Sequence, residues 1–350
     1  MNDVLVRVSG ACGRITLNRP RALNALTLEM VDEMHTTLMT WASDESIQFV
    51  LVDGAGVRGL CAGGDIRAMY TAVINDAREV ATEFFRKEYR LNYLISRYPK
   101  PYVVLMDRIV MGGGIGISAH ASHRIVTERS ELAMPETAIG FVPDVGGTHL
   151  LGTAPDEIGT YLGLTGRRIG AADAIFCGLA DIMVFSGDLS SLARDLEKCE
   201  NLAASESTLI AYTTQAPAGM NSEQRAWIKR CFSAPTVEEI FAALALDTDP
   251  EAKVALYELE KKSPTSLKVT LTALRNARNL NDLASCLRQE FRLAQSFLRE
   301  HDFVEGVRAA IIEKDRNPMW RPDRLEEVTL EAVQQFFTKS TTVAELDFKL

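Results

Sequence analysis

Cysteine is sparse in this chain and shows no pairing pattern: Cys12, Cys61, Cys177, Cys199, Cys231 and Cys286 are scattered, and no C-x-x-C occurs. That argues against a disulfide scaffold or a thiolate metal site, and predicts buried thiols in a reducing compartment. Histidine is scarcer still. The five (His35, His120, His123, His149, His301) include no H-E-x-x-H, and His120 and His123 have no cysteine ligands beside them, so no metal is expected. No apolar run approaches the roughly 18–20 residues that span a bilayer. Met1-Asn2-Asp3 opens without a basic or long apolar leader, and the expected location is cytoplasmic. No G-x-S-x-G elbow points to a serine triad, and no G-x-x-x-x-G-K-[ST] loop points to a nucleotide triphosphate. Positive charge is in deficit, with 38 Lys and Arg against 47 Asp and Glu, a net −9 that disfavours nucleic acid as a partner. It leaves room for a small polyanion, which a few cations and backbone N–H groups can hold.

What is present is a chain of 350 residues, 47% hydrophobic, enough to bury a large core. The first half alternates strand and helix signals. Val4 to Val8 and Arg14 to Leu17 predict two strands, Leu28 to about Trp41 a helix, and Phe49 to Val52 a buried strand. A long helix is expected over about Asp76 to Arg97, stopped by Tyr98-Pro99. A strand follows at Tyr102 to Met106, then a short helix near Ile115 to Ala121 and a strand at Arg124 to Val126. Beyond about Ser186 only amphipathic helix patterns remain. One begins at Thr236-Val237-Glu238-Glu239 as a capping box, another at Ser263-Pro264. The expected map is an α/β core over 1–185 that carries the site, and a helical region over 186–350 for capping or oligomerisation.

Four places in this map have the residue types that chemistry needs. In Leu60-Cys61-Ala62-Gly63-Gly64-Asp65-Ile66 small residues allow close backbone approach and Asp65 is set to start a helix. A free N–H there can donate to an oxyanion; an ordinary turn before a helix explains the same letters. In Val110-Met111-Gly112-Gly113-Gly114-Ile115-Gly116 a strand runs into glycines that open a short helix and aim N–H groups at whatever lies above. Gly114-x-Gly116-x-x-Ala119 also fits a dinucleotide fingerprint, but its helix is too short for a parallel crossover of a dozen or more residues. In Ala133 to Gly147, Glu136 and Asp144 stand in an apolar, Gly- and Pro-shaped segment that predicts a pocket wall. Buried together, two carboxyls raise each other's pKa, as a base working near neutrality requires; two solvent-facing acids on a turn are the plainer reading. Finally, Val80, Phe84, Glu88, Leu91, Ile95 and Tyr98 form one helical stripe that Glu88 interrupts, so its carboxylate should point inward, for function or for a salt bridge.

The ordered set resembles the crotonase (enoyl-CoA hydratase/isomerase) superfamily. It comprises Asn18-Arg19-Pro20-x-Ala22-Leu23-Asn24-Ala25-Leu26, Cys61 to Ile66, the glycine turn, Pro135-Glu136 and Pro143-x-x-Gly146-Gly147. The resemblance resumes at Asp302-Phe303-x-Glu305-Gly306-Val307-Arg308-Ala309 and Lys314-Asp315-Arg316-Asn317-Pro318. It implies a spiral of ββα units, a backbone oxyanion hole at Gly64 and Gly113, an acyl-CoA substrate and no cofactor beyond the CoA the substrate carries. It also implies trimer-based homo-oligomers. Family hydratases use two glutamates; Glu136 matches the second, but the first falls on Gly116. With Asp144 and Glu88 in its place, the pattern resembles the branch that hydrolyses 3-hydroxyisobutyryl-CoA, an activity of valine breakdown. Glu136 is then the expected nucleophile or general base, with Asp144 beside it. Glu88, Gly113, Glu136 and Asp144 contact the acyl group, and Arg19, Arg21, Ala62, Asp65, Ile66 and Lys314 are candidates for CoA. The alternatives are a hydratase or isomerase acting on the C=C bond, and a CoA-binding protein without activity.

Overall fold

The computed structural model describes residues 2–280 and 282–348, and in it nine strands make two sheets. The alternation at the N-terminus forms an antiparallel pair, β1 (Val4–Ser9) and β2 (Cys12–Leu17), with Val6 opposite Ile15. Then the chain repeats one move. β3 (Phe49–Gly54) is followed by β4 (Gly59–Cys61), β5 (Tyr102–Met106) by β6 (Ile109–Met111), and β7 (His123–Val126) by β8 (Glu131–Ala133). The first strand of each pair joins the six-stranded sheet in the order β1-β2-β3-β5-β7-β9, closed by β9 (Ile182–Met183). The second joins a parallel sheet β4-β6-β8. The chain thus winds as a spiral in which each turn ends at one edge of the small sheet. The site's loops leave from there.

The helices that matter for the site are α1 (Leu28–Ser43), α2 (Ile66–Ile74), α3 (Arg78–Ser96) and α4 (Gly113–Gly116). The expectation for α3 holds along Phe84, Glu88, Leu91 and Ile95, all buried, whereas Val80 in the first turn faces solvent. The short helix after β6 starts earlier than expected, because the glycines themselves are helical from Gly113. Three short strands of the small sheet, and α2, had no periodic signal of their own. Each strand is only three residues long, too short for alternation to register.

After β9 the described residues hold helices and no further named strand. Yet the main apolar core crosses into this region: one cluster of buried side chains runs from Val4 to Leu346, beside a smaller one that runs from Ala11 to Leu209. The helix Pro264–Leu280 packs on the helix Gly147–Thr153, Leu283–Phe297 packs on α3, and His301–Val307 packs on α2 and on the short turn Glu136–Ile139. Phe141 is the hub of this packing, its ring stacked on Phe85 at 5.5 Å and touching Phe297 (5.5 Å) and Phe303 (5.6 Å). Cutting such a ring back to alanine costs about 3–5 kcal/mol. Backbone meets backbone beside it: a Cβ on Gly140 would collide with the Asp302 carbonyl, and one on Gly306 with Ile139. Asp302 is held there by Ser263 Oγ (2.6 Å) and Arg321 N–H (2.7 Å), which explains two of the sequence motifs as locks. No helix among the described residues is long and apolar enough to cross a membrane.

Candidate active site

The Ala62–Asp65 turn is stitched to the Leu23–Leu26 segment. Ala62 N–H donates to Leu23 O (3.0 Å), Leu26 N–H to Gly63 O (2.9 Å) and Asp65 N–H to Leu26 O (2.8 Å). Asn24 secures that segment by donating Nδ2–H to the carbonyls of Ala55, Gly59 and Leu60. As expected, Asp65 caps α2, accepting from Ala68 N–H. These bonds fix Gly63, at φ +109°, and leave the N–H of Gly64 unspent. Across from it β6 ends, Gly112 takes φ +48°, and Gly113 opens α4. The first N–H of a helix has no partner within it. Among the described residues neither Gly64 N–H nor Gly113 N–H donates to any protein acceptor. They are neighbours: the point that a Cβ on Gly113 would occupy is 3.2 Å from Gly64 N, and the corresponding point on Gly63 is 3.6 Å from Gly113 N.

Three carboxyls close on these amides. Glu136 begins the short turn after β8, and its Oε1 lies 3.0 Å from where Gly112 would carry a Cβ. Glu88 reaches in from α3, and its Oε1 fills the place of the Cβ that Gly113 lacks. Asp144 follows the Phe141 hub and accepts a hydrogen bond from Tyr89 OH at 2.7 Å. All three are buried, and Glu88 Oε1 and Glu136 Oε2 have no hydrogen-bond partner. The expectation of solvent-facing acids is thereby excluded, as is a salt bridge for Glu88: the charged groups that act on it are Asp144 and Glu136. Burial first, then this mutual repulsion, pushes Glu88 and Glu136 well above the usual carboxylate range. Burial raises Asp144 to about 7, with the Tyr89 bond pulling the other way.

A fourth acid escaped the sequence reading. Glu290 accepts from Gly146 N–H (2.7 Å), Thr148 N–H (2.9 Å) and Thr148 Oγ (2.5 Å), and burial lifts it to about 8. It holds the turn that carries Asp144, where Val145 sits at φ +53°, a strained conformation for a β-branched residue. His120 Nε2 meets the Val145 carbonyl at 2.8 Å from the other side, and burial lowers that imidazole to about 4. The signal for Glu290 was there: it breaks the apolar stripe Cys286, Leu287, Phe291, Leu293, Ala294 and Phe297 as Glu88 breaks its own. Tyr89 and Asn92 had none, since an aromatic and an amide fit any helix.

Of the sequence candidates, the fold brings together Gly64, Gly113, Glu88, Glu136 and Asp144. Arg19 is different: its guanidinium is taken up by Asp65 (3.0 Å) and the Ala25 carbonyl (2.6 Å), so it braces the turn instead of offering a free cation. Asp65 is correspondingly engaged, and Ala62 and Ile66 flank the same turn. Arg21 and Lys314 are exposed, and among the described residues no hydrogen bond joins their side chains to the acids. Gly116, where a family hydratase carries its first acid, has no room for one: a Cβ there would stand 2.6 Å from Val145 Cβ and 2.8 Å from Asn92 Nδ2.

The family model described as enoyl-CoA hydratase/isomerase matches residues 12–337. The chain is 41% identical over 346 residues to the mitochondrial 3-hydroxyisobutyryl-CoA hydrolase of Gallus gallus, which covers 96% of this chain and 88% of that protein. It is 41% identical over 356 residues to the Homo sapiens protein of the same name, covering 99% and 91%. Among solved structures, one described as a carnitinyl-CoA dehydratase from Mycobacterium thermoresistibile superposes with a TM-score of 0.95 at 44% identity, over 100% of this chain and 99% of that one. Another, described as an enoyl-CoA hydratase from Rhodobacter sphaeroides 2.4.1, gives 0.87 at 41% identity, over 96% and 97%.

Proposed function

The chain belongs to the enoyl-CoA hydratase/isomerase family, and on that premise we propose that it hydrolyses the thioester of 3-hydroxyisobutyryl-CoA to the free acid and CoA. Names within the family divide between hydrolase and hydratase or dehydratase, so the choice rests on the site and not on the fold. The observation that carries it is Gly116. Adding or removing water across a C=C bond in the manner of the family hydratases uses a second glutamate there, and Val145 and Asn92 fill that space. The acids present are grouped instead around two unspent amides, the arrangement that acyl transfer at a carbonyl needs.

In this reading the thioester oxygen sits between Gly64 N–H and Gly113 N–H, each donor contributing about 2.7–4 kcal/mol of transition-state stabilisation. Glu136 and Asp144 share one proton; in the reactive form it sits on Asp144, and the Glu136 carboxylate attacks the carbonyl carbon. Held without a cation nearby and with one oxygen unpartnered, it is a stronger nucleophile than a solvated carboxylate. The C–S bond breaks, and CoA leaves with the proton of Asp144, giving a mixed anhydride on Glu136. Water then adds to the anhydride, Asp144 takes its proton, and Glu136 is released as carboxylate with the free acid. A titration point of about 7 suits Asp144 to give and retake that proton near neutrality. CoA enters as part of the substrate and leaves as a product, no further cofactor enters, and Arg21 and Lys314 are the expected phosphate partners. The relatives are named as mitochondrial. The six buried free thiols of this chain suit a reducing compartment, the cytoplasm of the sequence expectation included.

The test is thiol release across a panel of acyl-CoA esters. Hydrolysis of 3-hydroxyisobutyryl-CoA, with enoyl-CoA absorbance unchanged by the enzyme, supports the proposal. Loss of enoyl absorbance without free thiol would establish the hydratase instead.

A further inference from the structure

Asn92 is fully buried, and neither its Oδ1 nor its Nδ2 has a hydrogen-bond partner in the protein. An amide offers two N–H donors and a carbonyl acceptor, and leaving such a group unmet in an apolar interior costs about 1–3 kcal/mol. A protein keeps an unmet group of this kind where a ligand or a water meets it.

Its place in the fold says which ligand. Asn92 lies one turn beyond Glu88 on α3, so the two side chains share a face. That face meets α4, where Gly113 and Gly116 are three residues apart and also share a face. The helices mesh polar residue on glycine: Glu88 Oε1 occupies the missing Cβ of Gly113, and Asn92 Nδ2 stands 2.8 Å from that of Gly116. Three unmatched atoms therefore lie on the face of α3 that meets α4: Glu88 Oε1 at Gly113, and Asn92 Oδ1 and Nδ2 one turn on, at Gly116. An acyl group whose carbonyl is held by Gly64 and Gly113 lies beside Glu88, whose Oε1 fills the missing Cβ of Gly113, and Asn92 is the next polar side chain along that face. An unsubstituted hydrocarbon would satisfy none of the three. A hydroxyl satisfies two of them at once, accepting from Nδ2–H and donating its one proton to either the carboxyl or the amide oxygen.

We propose that Asn92 is a specificity-determining residue which, with Glu88, seats the 3-hydroxyl group of the acyl chain; the inference rests on the hydrolase reading above. Sites built to hydrogen-bond a hydroxyl reject the analogue lacking it far more strongly than apolar pockets reject an extra group. The enzyme therefore prefers 3-hydroxyisobutyryl-CoA to isobutyryl-CoA, and much of that preference resides in one amide.

The experiment measures kcat/KM by thiol release for both esters, in the wild-type chain and in Asn92→Leu and Asn92→Ala, with a thermal melt of each. Asn92→Leu keeps the branching and heavy-atom count, and Asn92→Ala only removes atoms, so a folding failure of one leaves the other to decide. The expected result is a fall of about 30-fold or more on the hydroxylated ester, in the range of a lost hydrogen bond to a buried partner. Isobutyryl-CoA turnover should be unchanged or improved, so the preference collapses. An equal fall on both esters would make Asn92 a packing residue and overturn the inference while leaving the hydrolase standing. If the wild-type chain releases thiol from neither ester, the hydrolase reading fails and takes the inference with it.

Discussion

Replacing Tyr89 by phenylalanine removes one atom that acts on Asp144. The Tyr89 hydroxyl donates to the Asp144 carboxylate over 2.7 Å in a buried site, and it favours the ionised form. A hydrogen bond to a charged group contributes about 1.5–3 kcal/mol, which at 1.36 kcal/mol per unit is about 1–2 pKa units on Asp144. Glu136 and Asp144 lie together, so the protons belong to the pair, and the productive state in the proposed mechanism holds one proton between them. The sum of the pair's two pKa values rises by the whole amount. The centre of the bell-shaped kcat/KM profile then moves to higher pH by half of it, about 0.5–1 unit. The ring stays and keeps its contacts with Phe85 and Phe291, so the fold should be retained. The assay is thiol release from 3-hydroxyisobutyryl-CoA over pH 5.5–10 in buffers of constant ionic strength, beside a melt. A folded variant whose profile is unmoved, or moves to lower pH, would show that Asp144 does not titrate in the reaction.

Three further outcomes are expected. Glu136→Gln keeps the side-chain volume and should lower kcat by about 10²–10⁴-fold without lowering the melting temperature; activity within tenfold of wild type would remove Glu136 from the chemistry. Gly116→Glu restores the hydratase letter but must push Val145 and Asn92 aside, so it should destabilise by about 1–3 kcal/mol or more and gain no hydration of enoyl-CoA. A variant that hydrates crotonyl-CoA would contradict the packing argument. Asp144 and Glu290 hold protons in the fold up to about 7 and about 8 but would lose them near 4 when unfolded. Their contribution to stability is thus complete below pH 4 and lost as pH rises through 7–8. His120, lowered to about 4, opposes this only below its unfolded value of 6.5. Between pH 6.5 and 8.5 the melting temperature should therefore fall, and a flat or rising curve in that window would show that the acids are not held protonated.

The chemistry of this site was more legible in the letters than its framework. Glu88 announced itself as a charge on an apolar stripe, and Glu136 with Asp144 as acids in a segment too hydrophobic for a surface loop. Both signals come from the cost of burying a carboxyl, which a sequence pattern registers. Of the small sheet only β6 showed, as the strand that runs into the glycines; three-residue strands such as Gly59–Cys61 take their pairing from neighbours far along the chain. Arg19 shows the opposite failure. As a letter it is a cation beside a ligand turn; only the fold reveals that Asp65 and Ala25 have claimed it. Likewise the change of pattern near residue 185 marks where strands end, while the apolar core crosses it without a break.

The meeting of Gly140 with Asp302 and of Gly306 with Ile139 bears on how the enzyme comes into being. A chain emerging from the ribosome presents Glu136 and Phe141 long before the helices that cover them have been made. Until residues near 306 are out, the pocket stands open to water, and its acids ionise as they would on any peptide. A closed pocket thus waits for the last part of the chain to be made. A messenger cut short in its last fifth should yield not a weak enzyme but a client for chaperones.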